Sequence, residues 1–567
     1  MALVWVVLLL FAGVCVAVEN TQALSQRCED DTNTFVLEIN QDRPKEYAVL
    51  MYDAFGKMGS NVEGGNTNQP GLLQQCRSAH GPTFSGQYCQ VFLRQGTVQY
   101  FVGICVPDSC EEEEVKMLVL HSESFFQSVR QILHLMSTKN TKILCKSIAW
   151  IVFSLRHCLS IFSFTVSTSQ SALGFPRSYA YWFLQVFSLQ TASQGVFHTS
   201  STHPGGGYSS LNGIRVLSLL WIMCGHSAQF PVINNLDNYK NWRGTVERSP
   251  LYVLAISGPV FLAVDTFLLL GGLLSVRSLL GSINSAEGKL SPGLVANYLF
   301  NRIKRIQPLH MFIMCLTIGL ISLVKWGPYW FPFIDNLMDC KTYWWANVLL
   351  ISNLLPVHEI CIPWTWYLSL DFQCYATTPL LVYFYRLTSE NYVLYYYVKP
   401  YTRYGPFLIG ILTGIYLTTR KDQWQAALGW FVCLSVMAVL VGLAYILRET
   451  PGHPSVPHAL YQGVHRPLWA LAVTWIIVAC EEGYGGFIKS LLSLGFWVPL
   501  SNISFACYLT HPVFIILYIG LQETPIHYTD INFMYMFLGH LALTLVVSCV
   551  FTVLIEKPYL FLKLRRT

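Results

Sequence analysis

The chain has 567 residues, of which 53% are hydrophobic and only 12% are charged, with a mean hydropathy of +0.42. So little charge cannot cover a water-soluble protein of this length, and the composition predicts an all-α polytopic membrane protein. The formal net charge of +5 is small for such a chain. Because it informs on topology more than on a basic partner surface, nucleic acid is not an expected partner.

The chain begins with an apolar run that is typical of a secretory signal peptide, although no basic residue precedes it. We expect residues 1–18 to be this signal, either cleaved or retained as an anchor. In both cases the residues that follow would enter the lumen or the extracellular space, where disulfide bonds persist.

Residues 19–142 are typical of a small lumenal or extracellular domain that contains disulfides. Five cysteines lie in this polar region: Cys28, Cys76, Cys89, Cys105 and Cys110. Because five is odd, at least one stays free or pairs outside the cluster, and spacing does not give the connectivity. Pro107-Asp108-Ser109 and the four glutamates after Cys110 predict a turn followed by a helix with an acidic first turn. No catalytic pattern is visible in this region.

Apolar segments follow one another from residue 143 onward, and we expect about ten to eleven transmembrane helices. Residues 143–210 hold a first span at 147–166 and a connector, and this span carries Arg156 and His157, which are costly in lipid. Residues 211–567 form the main membrane domain. Its expected spans are 212–232, 252–276, 309–325, 344–356, 366–386, 405–418, 427–447, 467–480, 503–521 and 533–555.

Basic residues predict the orientation of the chain. One cluster lies between the third and fourth spans and another closes the chain: Arg277, Lys289, Arg302, Lys304, Arg305, Lys557, Lys563, Arg565 and Arg566. If both clusters are cytosolic, all eight intervening spans cross, or an even number of them does not. We therefore expect a multi-pass protein of the endoplasmic reticulum or plasma membrane with a cytosolic C-terminus.

Segment 344–356 has two alternatives because cysteines flank it. If it crosses the membrane, Cys340 and Cys361 face opposite compartments, whereas a re-entrant segment would let them pair. The sequence leaves both alternatives open.

Four ionisable residues lie inside otherwise apolar segments: His226, Asp265, Asp371 and His511. Ionisable groups at the bilayer centre cost about 2.5–3.5 kcal/mol each on insertion scales. Because a shared wet cavity would satisfy all four together, we predict that they converge on one.

His226 shares a helix face with Arg215, since eleven steps of 100° return to nearly the same side about 16 Å further along. Neutral imidazole accepts a proton from a hydroxyl near neutral pH, so His226 is the expected general base. The structural alternative is a hydrogen bond from His226 to another helix.

The remaining candidates have supporting roles. Asp265 is expected to orient a histidine or hold an arginine, and the neighbouring Gly271-Gly272 permits close helix approach. Arg302 and Arg305 precede Pro308 at a helix entrance, where guanidinium groups bind phosphates such as those of coenzyme A; the alternative is a topology anchor. Asp371 follows an aromatic interface segment, and His511 precedes Pro512, which frees a backbone carbonyl. No metal-ligand spacing or nucleophile constellation stands out.

From about Leu211 to its end the chain resembles the integral membrane acyltransferases of acyltransferase family three, in the animal branch named nose resistant to fluoxetine. The motifs that carry the resemblance are Arg215 with His226, Asp265 to Gly272, Arg302 to Arg305, Trp366 to Gln373, Arg403 to Gly410, and Tyr508 to Pro512. Gly86-Gln87-Tyr88-Cys89 and Cys105 to Cys110 are similar to the ectodomain of that branch. Residues 111–200 depart from the branch, because a clear first span is missing there.

The resemblance implies transfer of an acyl group from a cytosolic acyl-CoA-type thioester to a hydroxyl of a lipid, sterol or other acceptor. It implies His226 as the essential base, and we add Asp265, Asp371 and His511 as supporting groups. Arg215, Arg302 and Arg305 would bind the donor phosphates, with no bound cofactor and the lipid bilayer as surroundings. The alternative is a lipid or small-molecule transporter of the same fold, which would need the same buried charges.

Overall fold

The computed structural model describes residues 25–58, 68–95, 98–121, 131–137, 189–198, 208–234, 236–246, 248–254, 258–286, 290–323, 327–330, 340, 342–356, 359–387, 404–419, 426–447 and 456–561. Contacts divide the chain into two compact units, residues 1–62 with 66–140 and residues 63–65 with 141–567. The signal peptide expected at 1–18 and the span expected at 147–166 lie outside the described residues.

The N-terminal unit combines short helices with a three-stranded sheet. Its elements are α1 (Gln26–Ile39), α2 (Glu46–Asp53), β1 (Lys57–Met58), β2 (Asn68–Gln69), α3 (Leu73–Ser78), β3 (Gly86–Gln95), β4 (Val98–Pro107), α4 (Glu112–His121) and β5 (Gln131–Ser137). β3 is the central strand and pairs antiparallel with β4 and β5. The prediction of an all-α protein therefore does not extend to this unit, because β3 and β4 pair with each other along their whole length.

Two disulfides close this unit. Cys28 pairs with Cys110 and Cys76 pairs with Cys105, while Cys89 is buried and outside both bonds, as an odd number requires. α4 begins with Glu112, Glu113 and Glu114 in its first turn, as predicted. These acids complement the positive end of the helix dipole.

The second unit is helical in its described part. Its helices are α5 (Leu189–Phe197), α6 (Ser210–Asn234), α7 (Tyr239–Val246), α8 (Phe261–Ser285), α9 (Pro292–Leu323), α10 (Trp366–Leu387), α11 (Tyr404–Thr419), α12 (Ala426–Ile446), α13 (Val456–Glu481), α14 (Gly486–Leu492), α15 (Trp497–Gly520), α16 (Asp530–Phe551) and α17 (Lys557–Phe561). Short 3₁₀ turns at Pro250–Leu254, Pro328–Trp330, Ser352–Leu354 and Pro363–Thr365 join some of them. A π-helical turn at Thr552–Glu556 separates α16 from α17.

Five helices within the described ranges are long and apolar enough to cross a membrane: Phe261–Ser285, Ala427–Ile446, Val456–Glu481, Trp497–Gly520 and Asp530–Leu560. Pro406–Ile415 is a shorter apolar helix. These five establish the membrane character of the unit, and the count of ten to eleven stays a prediction.

The fourth expected span needs correction at its start. α9 begins at Pro292 and runs without a break through Pro308 to Leu323, so Arg302 and Arg305 lie inside a helix and not in a loop before it. Proline lacks one backbone donor and yet is tolerated within membrane helices, because neighbouring groups satisfy the freed carbonyl. The two arginines consequently point from a rigid element.

Residues 340, 342–356 and 359–361 form a hairpin whose two ends meet. Cys340 and Cys361 are joined by a disulfide, which excludes a full crossing by the segment 344–356 between them. Asn353 and Gln373 exchange amide hydrogen bonds of 3.1 and 2.8 Å, and the Gln307 amide donates to the Val348 carbonyl. These bonds attach the hairpin to α9 and α10.

Close packing of α8 against α11 supports one wall of the core. A Cβ at Gly272 would lie 2.2 Å from the Phe407 carbonyl oxygen, and one at Gly410 would lie 2.1 Å from that of Leu269. The glycines therefore permit the close approach that Gly271-Gly272 predicts.

Candidate functional site

Two side-chain contacts fix α6 and α15 side by side in parallel. An Arg215 guanidinium nitrogen donates to Ser501 Oγ at 2.9 Å, and the rings of His226 and His511 join at 2.8 Å. Arg215 and His226 are eleven residues apart, and their partners are ten apart in the same direction. Both helices therefore pass the same levels together, with Arg215 about 16 Å from His226 along the axis.

A cavity of about 1250 Å³ runs beside these helices. Its wall includes five of the seven predicted site residues: Arg215, His226, Arg302, Arg305 and Asp371. Leu309 and Ile313 of α9 belong to one hydrophobic cluster with Ala506 and Leu509 of α15. Position along α6 and α15 gives depth in the cavity.

We call the half that holds Arg215, Arg302, Arg305 and Asp371 the arginine end. Arg302 forms an ion pair with Asp371, and its guanidinium carbon lies 4.9 Å from the centre of the Tyr375 ring. Arg305 is exposed to the cavity and interacts electrostatically with the buried Glu556. Three arginines against two carboxylates leave one positive charge in excess, which suits an anionic ligand.

Tyr367 belongs to the arginine end and was not among the predicted site residues. It lines the cavity and interacts electrostatically with Arg215, Arg302 and Asp371. Its ring meets that of Tyr508 edge to face at 5.7 Å. Tyr367 shares a helix face with Asp371, four residues later, and this spacing is the sequence signal that could have identified it.

The histidine pair lies deeper than the arginines. His511 Nδ1 is 2.9 Å from the Cys507 carbonyl oxygen, an acceptor, so Nδ1 carries the ring proton of neutral His511. Its Nε2 then has a lone pair and accepts the hydrogen bond from His226 Nδ1. The two ring planes differ by 10°, which suits an in-plane bond.

This chain of bonds fixes the tautomer of His226. His226 Nδ1 carries the proton and donates a hydrogen bond to His511, so neutral His226 has its lone pair on Nε2. The His226 side chain lines the cavity. The hydrogen bond to another helix foreseen as the structural alternative is therefore present, and it leaves Nε2 able to accept a proton from a ligand.

Beyond the histidine pair the cavity becomes apolar. We call this half the apolar end, defined by Phe230, Ile318, Leu320, Ile362, Val513, Ile516 and Leu517. Among the described lining residues, the Arg and Asp side chains all belong to the arginine end. The Cys340–Cys361 disulfide also lines this half. The cavity thus changes from cationic to apolar along its length, with His226 between.

Two predicted residues stand apart from the cavity wall. His511 is buried behind His226 and contacts it directly. Asp265 is buried in α8 and is not among the lining residues, so the predicted convergence of four ionisable residues does not extend to its carboxylate. Asp371 occupies the position of the carboxylate that holds an arginine.

Two domain patterns match this chain. The nose resistant-to-fluoxetine protein, N-terminal domain, matches residues 28–119, and the acyltransferase domain matches residues 208–398. The second match contains the arginine end and His226 and ends before His511. Residues 28–119 are thus similar to the first domain and residues 208–398 to an acyltransferase domain, and this similarity supports an acyltransferase-type membrane enzyme.

Similar proteins come from the nematode Caenorhabditis elegans. The chain is 24% identical to nose resistant to fluoxetine protein 6 over 622 aligned positions, which cover 86% of this chain and 74% of that protein. It is 20% identical to regulator of hypoxia-inducible factor 1 over 307 positions, covering 44% of this chain and 59% of that one. No solved structure matches.

Proposed function

We propose that the protein is an integral membrane O-acyltransferase that moves an acyl group from an acyl-CoA-type thioester to a hydroxyl of a lipid, sterol or other acceptor. The observation that carries the proposal is the tautomer of His226, whose Nε2 lone pair is held in the cavity about 16 Å from a cationic cluster. A resemblance to the vertebrate O-acyltransferase-like protein is part of this proposal.

In the proposed reaction His226 acts as general base. Nε2 removes the acceptor hydroxyl proton as the oxygen attacks the thioester carbonyl carbon, and the C–S bond breaks after the C–O bond forms. The proton then passes from His226 to the leaving thiolate, which gives an ester and a free thiol. No covalent enzyme intermediate is needed.

His511 acts as a positioning residue for this base. Its Nε2 accepts a hydrogen bond from His226 Nδ1–H. This bond holds the His226 ring in place and stabilises the imidazolium that forms on His226. Arg215, Arg302 and Arg305 bind the donor phosphates, since guanidinium groups match phosphate oxygens in geometry and charge. Asp371 holds Arg302 in place, and Asp265 keeps only the predicted role of a supporting carboxylate.

We further propose that the arginine end faces the cytosol, the N-terminal unit is lumenal or extracellular, and the C-terminus is cytosolic. The hairpin closed by the Cys340–Cys361 disulfide removes one of the eight expected crossings. An even number of crossings then requires that a second expected span also does not cross. α11 is the candidate, because its 16 residues span only about 24 Å against a hydrocarbon core of about 30 Å.

The test is acyl transfer from labelled acyl-CoA by purified full-length protein in lipid nanodiscs, with a panel of lipid and sterol acceptors. His226→Ala should lower the rate by about 10²- to 10⁴-fold, the usual contribution of a general base. His198→Ala, an exposed histidine away from the cavity, is the matched control and should leave the rate unchanged. Transfer that survives His226→Ala at the wild-type rate would exclude His226 as the base.

His511→Ala separates the positioning role from a structural one. We expect a lower kcat with little change in donor affinity, because donor phosphates contact the other end of the cavity. His511→Gln restores an acceptor and should recover part of the rate. A rise in KM alone would contradict the positioning role.

A transporter of lipid or small amphiphiles is the second candidate, because the cavity continues from a cationic to an apolar half. In that case no variant and no acceptor would give labelled product. Movement of substrate between leaflets would then persist in His226→Ala protein.

A further inference from the structure

The apolar end of the cavity has no role in the reaction derived above, although it makes up much of the wall. Its residues come from four different segments, on α6, α9, the hairpin and α15. Within the described lining of this half, polar atoms are few and already bonded locally, as where Thr317 Oγ1 donates to the Ile313 carbonyl. Such a surface is unfavourable against water and favourable against hydrocarbon.

The order of groups along the cavity limits what fills this half. A thioester bound by its phosphates at the arginine end, with its carbonyl carbon beside the hydroxyl that His226 activates, has its acyl chain on the far side of that carbonyl. The apolar end begins there, since Val513 and Leu517 follow His511 on α15. The acyl chain therefore continues into an apolar surface that lies directly in line with it.

We propose, resting on the proposed function, that the apolar end is a binding slot for the acyl chain of the donor, which makes the protein selective for medium-length acyl groups over acetyl. From His511 to Leu517 is six residues, or about 9 Å along the helix. An extended chain advances about 1.25 Å per carbon with normal C–C bonds, so the slot accommodates roughly seven to eight carbons.

Two features form the walls of the slot. The Cys340–Cys361 disulfide joins the two ends of the hairpin next to Ile362, so this wall is covalently closed. On the opposite wall Ile516 is buried and Leu517 is partly buried. A chain longer than the slot must bend or leave through the side.

The experiment measures binding of free CoA, acetyl-CoA, butanoyl-CoA and octanoyl-CoA to His226→Ala protein in nanodiscs, where turnover does not interfere. These thioesters stay soluble at the concentrations needed. We expect octanoyl-CoA to bind at least tenfold more tightly than acetyl-CoA. Full burial of the additional methylenes would give more, since each buried methylene increases affinity about fourfold. Equal affinity for all four would overturn the slot.

Two tryptophan substitutions mark depth. Val513→Trp fills the slot near the histidine pair, and Leu517→Trp fills it further away. The longest acyl chain that still increases affinity should therefore be longest in the protein without a tryptophan substitution, shorter in Leu517→Trp and shortest in Val513→Trp. Free CoA should bind all three alike, which shows that each variant is folded. Leu538→Trp, on a half-exposed position of α16 outside the cavity, is the matched control. An unchanged chain-length profile in Val513→Trp would also overturn the proposal.

A second arm identifies the source of the chain. Long-chain alcohols and diacylglycerol are tested for competition with octanoyl-CoA, and we expect them to leave the chain-length profile intact. If chain length matters for the alcohol and not for the thioester, the slot belongs to the acceptor and the donor assignment is wrong.

Turnover by unsubstituted protein is recorded separately. A chain-length effect on binding without any transfer refutes the acyltransferase and leaves the slot standing, whereas transfer without a chain-length effect refutes the slot alone.

Discussion

The two units of the chain use polar and covalent interactions in opposite ways. The N-terminal unit is closed by the Cys28–Cys110 and Cys76–Cys105 disulfides, and its described ion pairs, Lys45–Glu38 and Lys116–Glu113, each have one exposed partner. The helical unit buries its ion pair between Arg302 and Asp371 beside a cavity. Burying charged side chains costs free energy, so charged side chains gathered along one cavity indicate a functional site. The disulfides of the N-terminal unit indicate a structural role.

The largest expected effect tests the covalent half of this contrast. Replacing Cys28 and Cys110 by serine opens a loop of 82 residues, and we expect the N-terminal unit to lose about 4.5 kcal/mol of unfolding free energy. Hydrogen exchange measured by mass spectrometry on the full chain would show faster exchange in residues 25–58 and 68–121. Binding of acyl-CoA should stay unchanged, because the cavity lies in the helical unit. Loss of binding would show that the N-terminal disulfide also supports the cavity.

A smaller effect is expected from the buried ion pair. Asp371→Asn leaves the Arg302 charge without its partner, and we expect a loss of about 3 kcal/mol, visible as a lower thermal unfolding temperature. The matched change is Glu113→Gln in the N-terminal unit, where an exposed pair contributes little. Equal effects from the two substitutions would remove the contrast.

Helix spacing gives the next effect. Gly272→Ala places a Cβ 2.2 Å from the Phe407 carbonyl oxygen, so α8 and α11 must separate, and we expect about 1–3 kcal/mol of destabilisation. Gly281→Ala, on the same helix, has no atom within 4 Å and should be neutral or slightly stabilising. Thermal unfolding of both variants in the same detergent compares them. A neutral Gly272→Ala would contradict the close approach.

The smallest effect concerns the arginine end. Ser501→Ala removes the hydrogen bond that holds Arg215, and we expect donor affinity to fall about three- to tenfold, which corresponds to the roughly 0.5–1.5 kcal/mol of a typical hydrogen bond. Ser490→Ala, whose hydroxyl bonds only to the Gly486 carbonyl on a surface helix, is the control. Filter binding of labelled CoA measures both. An increase in kcat with unchanged affinity would place Arg215 outside the donor site.

Periodicity was sufficient to predict that Arg215 and His226 share one groove, because helix geometry is local. It was not sufficient to find their partners. Ser501 and His511 lie about 285 residues later, and a chain offers many serines and histidines that satisfy the same chemistry. The pairing of Arg302 with Asp371 was open for the same reason, and the sequence could not show that Asp371 lines the cavity whereas Asp265 does not.

Other differences have local causes. The start of α9 was set too late because Pro308 was read as a helix entrance, whereas packing keeps the helix continuous through it. The strand β3 carries no alternating pattern that would have signalled it, because the consecutive residues Tyr88, Cys89, Gln90 and Val91 are all buried. The alternatives for 344–356 could not be separated, since a short apolar segment fits both and only the Cys340–Cys361 bond decides between them.

The contact between His226 and His511 also has a consequence in time. The two residues are separated by 285 positions, which a ribosome needs about 14–57 s to add. During this interval α6 is already in the membrane with an imidazole that has no partner ring and no fixed tautomer. The histidine pair is therefore completed near the end of synthesis, and a chain released before residue 511 would hold the arginine end without the partner ring of His226.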